Sequence, residues 1–374
     1  MSKKTDEAGK PIPSVVVVAE ASAEFPRHSE PAILERRDGT LFMVWQEYVA
    51  SGREGEDNAP NRLAAMESSD EGRTWGHHHV LVERAPGDVN VYSPNLLKLP
   101  GGEWLFIYFR YHKLESGQPP DVSAYACRSS DEGRTFSAPA AIWQHQPVAF
   151  ASGVVKRLHD GRIILPVGRQ TGAIWCATDH EVLGSYVSDD DGRTWQAGQT
   201  WVDLPLRGAM EAHVEELRDG RILLVMRTQL GSVFRSHSED RGLTWSKPQT
   251  TGLQSPESCP ELIRIPSTGD LLLVWNHSPY DPGFGSHYGK RSPLTVAVSR
   301  DEGATWTHLR DVETDPERAF SNPVCFITSR DQVVLMYWTC RYDTVRWLMD
   351  VRRLDLRAAL FPVSWLYVSA ASRE

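Results

Sequence analysis

Long apolar runs are missing from this 374-residue chain. No stretch could span a bilayer, and the run 14–19 is too short and too late for a secretory signal, so a cytoplasmic protein is expected. Cysteine is scarce: five residues, at 127, 176, 259, 325 and 340, form no Cys-x-x-Cys pair. That spacing fits reduced, buried thiols better than a disulfide framework or a zinc site. Basic residues are also in deficit. With 40 Lys and Arg against 49 Asp and Glu, the net charge is −9 and the pI near 5.8, which argues against nucleic acid or an anionic membrane as partner. No segment carries the period of a long amphipathic helix, which leaves strands as the building element.

Turn formers, by contrast, are plentiful and evenly spread, with 28 Gly and 24 Pro. One turn is written five times. Ser188-Asp189-Asp190-Asp191-Gly192-Arg193-Thr194-Trp195 has counterparts starting at Ser68, Ser129, Ser238 and Ser299, all fitting Ser-x-Asp-x-Gly-x-Thr-(Trp/Phe), with Phe136 the only change at the aromatic end. In such a turn the Asp carboxylate accepts hydrogen bonds from turn amides and Gly supplies a positive φ. The aromatic is an apolar wedge against a neighbour. The copies are 61, 59, 50 and 61 residues apart, so one supersecondary unit recurs.

Between these turns lies a second repeat: a first strand, a turn that bears Gly in the first five units, then an apolar strand. The pairs are 31–34 with 41–45, 94–97 with 104–109, 154–158 with 163–167, 213–217 with 222–226, 260–265 with 271–275, and 323–327 with 333–338. They read as antiparallel hairpins with buried inner strands. Each boxed turn follows a third strand, and the sixth unit is expected to use 347–354 instead. Short strands, about four per radial unit, describe an all-β six-bladed β-propeller with Asp-box turns. Residues 15–20 are expected to complete the blade built by the C-terminal residues. Residues 1–13 read as a flexible N-terminal segment and 14–374 as one propeller domain.

The Asp-boxes on six hairpins resemble the sialidase (neuraminidase) superfamily over nearly the whole chain. The boxes themselves are peripheral turns and carry no chemistry. More specific is the fourth unit, where Glu211 opens the inner strand and Arg227 follows sixteen residues later. The resemblance implies that Glu211 polarises a nucleophile and that Arg227 grips a substrate carboxylate. Register agrees, because Arg227, Gln46 and Asn276 each lie seven residues after a turn glycine. Arg291, just ahead of the last box, resembles a further arginine of that carboxylate-binding set. A guanidinium suits the task, since it offers two parallel hydrogen bonds to a carboxylate. In the loop Glu54-Gly55-Glu56-Asp57-Asn58, the resemblance places a general acid, with Asp57 as the choice and Glu56 in reserve. Three crowded acids would raise one pKa by repulsion. The bland alternative is a solvated acidic loop.

The sequence departs from the family pattern twice. An Arg-Ile-Pro start is replaced by Ser29-Glu30-Pro31, leaving Arg27 or His28 to reach in. The nucleophilic tyrosine expected before Ser321 is Phe320, with Tyr92 and Tyr342 as substitutes lacking positional warrant. Glu30 suggests a ligand offering hydroxyls or a cation at that point. Other residues have structural readings as well. Glu257 and Glu261, near the start of the fifth inner strand, are general-base candidates or strand caps. His213 alternates with Glu211 and is expected to share its pocket. Arg110, Arg169 and Arg341 read as ion-pair partners. His77-His78-His79 reads as a solvated loop rather than a metal site, and His277 has no assigned role. The resemblance thus implies a sialidase-like exo-glycosidase removing a terminal acidic sugar, sialic acid or a related uronic or ulosonic acid. Catalytic roles fall to Asp57 and Glu211; substrate contacts fall to Arg227, Arg291, Glu30, Arg27, Tyr92, His213 and Glu257. The partner is a carbohydrate, with no cofactor or metal expected. The alternatives are a non-catalytic carbohydrate-binding propeller and a uronic-acid lyase on the same scaffold.

Overall fold

A computed structural model describes residues 13–115, 117–149, 151–173, 178–285 and 287–368. The strands gather into six antiparallel sheets, each ordered from an inner strand outward. Blade 1 is Arg27–Glu35, Leu41–Tyr48, Asn61–Ser68 and Gly76–Val82. Blade 2 is Asn90–Lys98, Trp104–Lys113, Asp121–Ser129 and Ala140–Gln146. Blade 4 is Met210–Glu216, Ile222–Arg227, Ser232–Ser238 and Gln249–Gln254, and blade 5 is Glu261–Arg264, Leu271–Asn276, Leu294–Ser299 and Thr307–Glu313. Blade 3 departs from expectation: its inner strand is broken into Val148–Ala149 and Lys156–Arg157, both paired to Ile163–Gln170. Among the described residues the only α-helix is the short Val363–Tyr367. The fold is a six-bladed β-propeller.

Second strands such as Leu41–Tyr48, Ile222–Arg227 and Leu271–Asn276 are buried at every position. Both faces of each lie against a neighbouring blade, so their runs are continuously apolar rather than alternating. Six hydrophobic clusters result, one at each blade–blade boundary. Ring closure uses the N-terminal strand. Ser14–Ala19 pairs antiparallel with Asp355–Pro362, the third strand of blade 6, as the outermost strand of that sheet. This corrects the expectation that 347–354 forms the third strand, because that segment is mostly turn around Leu348–Met349. The expected flexible N-terminus falls, but for residue 13, outside the described residues, as does Cys176. The other four cysteines are free and buried.

The five boxes repeat to within 0.1 Å. In blade 3, Ser188 Oγ donates to Asp190 Oδ1 at 2.8 Å, Thr194 N to the same oxygen at 2.8 Å, and Thr194 Oγ1 to Oδ2 at 2.6 Å. Blade 5 repeats these at 2.8, 2.8 and 2.6 Å around Asp301. The turn uses two consecutive left-handed residues, Asp191 at φ 56° and Gly192 at φ 80°. Glycine also has a packing reason: a Cβ on Gly192 would lie 2.8 Å from Leu105 of blade 2, and one on Gly303 would lie 2.7 Å from Leu223 of blade 4. Each box therefore staples its blade to the preceding one.

Candidate active site

The hairpin register defines one equivalent position on all six inner strands. The first strand ends opposite the start of the second at Glu35↔Leu41, Lys98↔Trp104, Arg157↔Ile163, Glu216↔Ile222, Arg264↔Leu271 and Ile327↔Val333. Five residues upstream stand Glu30, Ser93, Ser152, Glu211, Cys259 and Asn322. In blades 1, 2, 4 and 6 the strand bulges there, and Glu30, Ser93, Glu211 and Asn322 have φ of 54°, 50°, 45° and 50°. A left-handed non-glycine residue in a bulge is strained, and it redirects the side chain away from the alternating pattern of the strand. Members of this set meet across blade boundaries. Asn322 Nδ2 donates to Glu30 Oε1, and Cys259 Sγ donates to Glu211 Oε2 at 2.6 Å. Four residue types, Glu, Ser, Cys and Asn, share this one repeat position across the six blades.

Above them opens a cavity of about 670 Å³. It gathers Arg27, Glu30, Asp57, Tyr92, Glu211, Arg227, Glu257 and Arg291 from blades 1, 2, 4 and 5 and their loops. His213 does not line it. The bulge after Met210 breaks the alternation that linked His213 to Glu211, and His213 Nδ1 instead lies 2.6 Å from Glu261 Oε2, both buried. Four further lining residues escaped sequence reasoning: Asp179, Arg207, Gln229 and His287. They sit on loops outside the repeat, where no register points to them. A side cavity of about 190 Å³ shares Asp57, Tyr92, Asp179 and Arg207 and adds Glu181.

The guanidinium groups differ in how far their charge is already met. Arg227 Nη1 donates to Glu211 and Nη2 to Glu257, both at 2.6 Å. Arg207 bridges Glu257 at 2.5 Å and Asp179 at 3.1 Å. Arg27 Nη1 donates to the carbonyls of Glu54 and Glu56, and Nη2 to Asp57 at 3.2 Å, with its guanidinium stacked over Tyr48. It therefore clamps the acidic loop. Arg291 is the exception: it donates to Ser321 Oγ at 2.6 Å and to the Glu257 carbonyl at 3.0 Å, and among the described residues no carboxylate pairs with it. Burial and the like charge of Arg227 lower its pKa, and the nearby Glu211 offsets only part of that.

The carboxyls divide the same way. Burial would raise Glu257, but Arg227 and Arg207 overcome it and hold the group at about 2, ionised between its two arginines. Against the same burial effect, Arg227 and the Cys259 thiol keep Glu211 below the usual range. Burial and then repulsion from Glu211 push Glu30 up to about 7, against bonds from Asn322 and Ser152. Burial and Glu211 raise Glu181 to about 8. The acidic loop does not crowd its carboxylates as expected. Glu54 accepts the amides of Ser51 and Gly52, Glu56 pairs with Arg53, and Asp57, whose side chain is 58% exposed, pairs with Arg27.

The position expected to hold the nucleophilic tyrosine is Phe320. Phe320 is fully buried, edge-on to Tyr337 in the core between blades 5 and 6. Tyr92 lines the cavity, but burial and the neighbouring Tyr48 and Asp57 raise its pKa well above normal. Tyr342 Oη accepts a bond from Arg291 N at 2.8 Å and so supports the backbone. His28 accepts from the Trp45 indole rather than reaching the cavity. Arg110 and Arg341 pair with Asp88 and Glu317, while Arg169 stacks over Trp201. His77–His79 lie on the outer strand of blade 1, not in a loop, with His78 3.0 Å from Glu47.

The BNR repeat-like domain family matches residues 39–335. A sialidase of Micromonospora viridifaciens is 27% identical over 317 residues, covering 75% of this chain and 45% of its own length. The chain thus spans less than half of that curated relative. Among solved structures, a Hadza microbial sialidase superposes with TM-score 0.70 at 18% identity, over 96% of this chain and 71% of its own. The intramolecular trans-sialidase of Ruminococcus gnavus, in complex with oseltamivir carboxylate, superposes at 0.68 and 15%, over 96% and 98%. A match across most of the six blades, on a propeller built from Asp-box hairpins, places this chain in the BNR-repeat branch of the sialidase superfamily.

Proposed function

We propose that this propeller is a glycoside hydrolase that removes a terminal acidic sugar, and that Arg291, seconded by Arg227, seats the sugar carboxylate. The observation that carries this reading is the guanidinium of Arg291, paired with no carboxylate among the described residues, in the same cavity as Asp57 and Glu211. A carboxylate there completes charge-assisted bonds in a site shielded from bulk water. With Phe320 in the core, water is the nucleophile. Glu211, held ionised, takes a proton from that water as its oxygen bonds to the anomeric carbon. The glycosidic C–O bond breaks, and the leaving oxygen takes a proton from an acid, Asp57 at the mouth or Glu30 at the axis. Glu30 keeps its proton up to about pH 7, so activity that depends on it falls as pH rises through that value.

The capture of Glu211 by both Arg227 and Cys259 favours a second reading, a carbohydrate-binding propeller without turnover. Release of reducing sugar from a panel of sialosides and uronic-acid glycosides separates the two. Turnover that Asp57→Asn reduces at least tenfold supports the hydrolase. Binding without turnover, unaffected by Asp57→Asn, supports the second reading, and an unsaturated product absorbing in the ultraviolet indicates elimination instead.

A further inference from the structure

The cavity has two unlike walls. Most of its charged side chains come from blades 1 to 4, with Glu257 at the entry to blade 5 and Arg291 on a loop of that blade. Two loops of blades 5 and 6 bring Phe284, Met349, Val351 and Leu354 to the lining, beside Trp338, with Leu354 bridged to Arg27 of blade 1. This wall is already packed. Phe284 lies edge-on to Tyr342 with centroids 5.6 Å apart, and 5.8 Å from Trp347, within a cluster that also holds Met349 and Leu354. It is also tied to the cation, because Tyr342 accepts from Arg291 N and the Arg291 guanidinium stands 5.8 Å from the Trp338 ring. The apolar character continues to the rim. Of the eight large hydrophobic side chains exposed among the described residues, Tyr288, Val345 and Leu348 belong to these same two loops.

We propose that this wall is a subsite for an apolar, alkyl or aryl aglycone, attached to the sugar whose carboxylate sits on Arg291. The inference rests on the reading of Arg291 given above. The side chains of Phe284, Met349, Val351 and Leu354 offer no hydrogen-bond partner. A carbohydrate aglycone would therefore bury hydroxyls without partners, which costs affinity, whereas a hydrocarbon loses only its hydration. Substrate preference is set on the leaving-group side by shape and apolar area, and on the sugar side by charge.

Non-hydrolysable thioglycosides test this without turnover. Titration calorimetry would compare S-octyl with S-lactosyl thioglycosides of N-acetylneuraminic acid and of glucuronic acid. For whichever sugar binds, the octyl compound is expected to bind roughly 10- to 100-fold tighter. Val351→Asn is expected to erase most of that ratio, chiefly by weakening the octyl compound. Equal affinity of the two aglycones, or a preference for lactosyl, overturns the subsite and leaves the acidic-sugar reading intact. Failure of all four compounds to bind overturns the acidic-sugar reading and the subsite with it.

Discussion

The rim of the disc and its axis are built from the same repeat yet treat it in opposite ways. At the rim, five boxes hold the same Ser, Asp, Gly and Thr with the same hydrogen bonds. At the axis, one position carries Glu, Ser, Ser, Glu, Cys and Asn. A turn that closes a hairpin has one chemical solution, so repetition there conserves residues. Six equivalent positions converging on one volume cannot all hold the same charged group, so they differentiate, and the site arises from the differences. The two regions also respond to pH with opposite sign. Bonds from the Thr135 hydroxyl and amide lower Asp131 to about 2, so its contribution is complete above the unfolded pKa near 4 and is lost as pH falls toward 2. Glu30, raised to about 7, keeps in the folded chain a proton that the unfolded chain has released, so stability falls as pH rises from about 4.5 to about 7.

The largest effect expected from breaking this contrast is on ligand binding. Arg291→Ala should weaken binding of the carboxylate-bearing sugar on the order of 100-fold, about 3 kcal/mol, by calorimetry. The fold should survive, since Glu257 keeps Arg207 and Arg227. An unchanged dissociation constant would remove Arg291 from the site. Next in size, Glu30→Gln keeps the shape of the side chain and removes the titration. Its stability gain over the native chain in urea melts should be roughly 2–3 kcal/mol at pH 8 and close to zero at pH 4. A gain of the same size at both pH values would mean that packing, not the buried proton, is responsible.

The rim was legible in the sequence because identical residues at identical offsets report a local turn directly. Blade count, hairpin register and the N-terminal closing strand all followed from that. The axis was only partly legible. Glu211, Arg227 and Arg291 were reached through family resemblance, while Arg207, Asp179 and His287 lie on loops that no repeat indexes. His213 was misplaced because strand alternation was extended through a bulge. A signal for that bulge did exist. The equivalent position is followed by proline at Pro31, Pro94, Pro260 and Pro323, and a residue without an amide hydrogen within an inner strand marks an interruption of the ladder. Stacking the hairpins by their turn glycines would have brought Glu30, Ser93 and Ser152 into one column with Glu211. The apolar wall had no such column, since the loops of blades 5 and 6 have no counterpart elsewhere in the ring.

The smallest effect tests whether rim positions really are interchangeable. Asp190→Ala removes an acceptor for Ser188 Oγ, Thr194 N and Thr194 Oγ1, and Asp301→Ala removes the same three for its own blade. Both turns face solvent, where water replaces part of what is lost, so each substitution should cost about 1 kcal/mol in urea melts at pH 7. Because the two turns share no partner, the double variant should cost the sum to within roughly 0.5 kcal/mol. The whole difference should fade in acid, as Asp190, held at about 2, and Asp301, held below the usual carboxylate range, take up protons. Unequal single costs, or a double cost well above the sum, would show that the boxes act on the ring as a set through the Gly192–Leu105 and Gly303–Leu223 contacts. The rim would then be cooperative, and the distinction between a repeated periphery and a differentiated centre would fail on energetic grounds even though it holds in geometry.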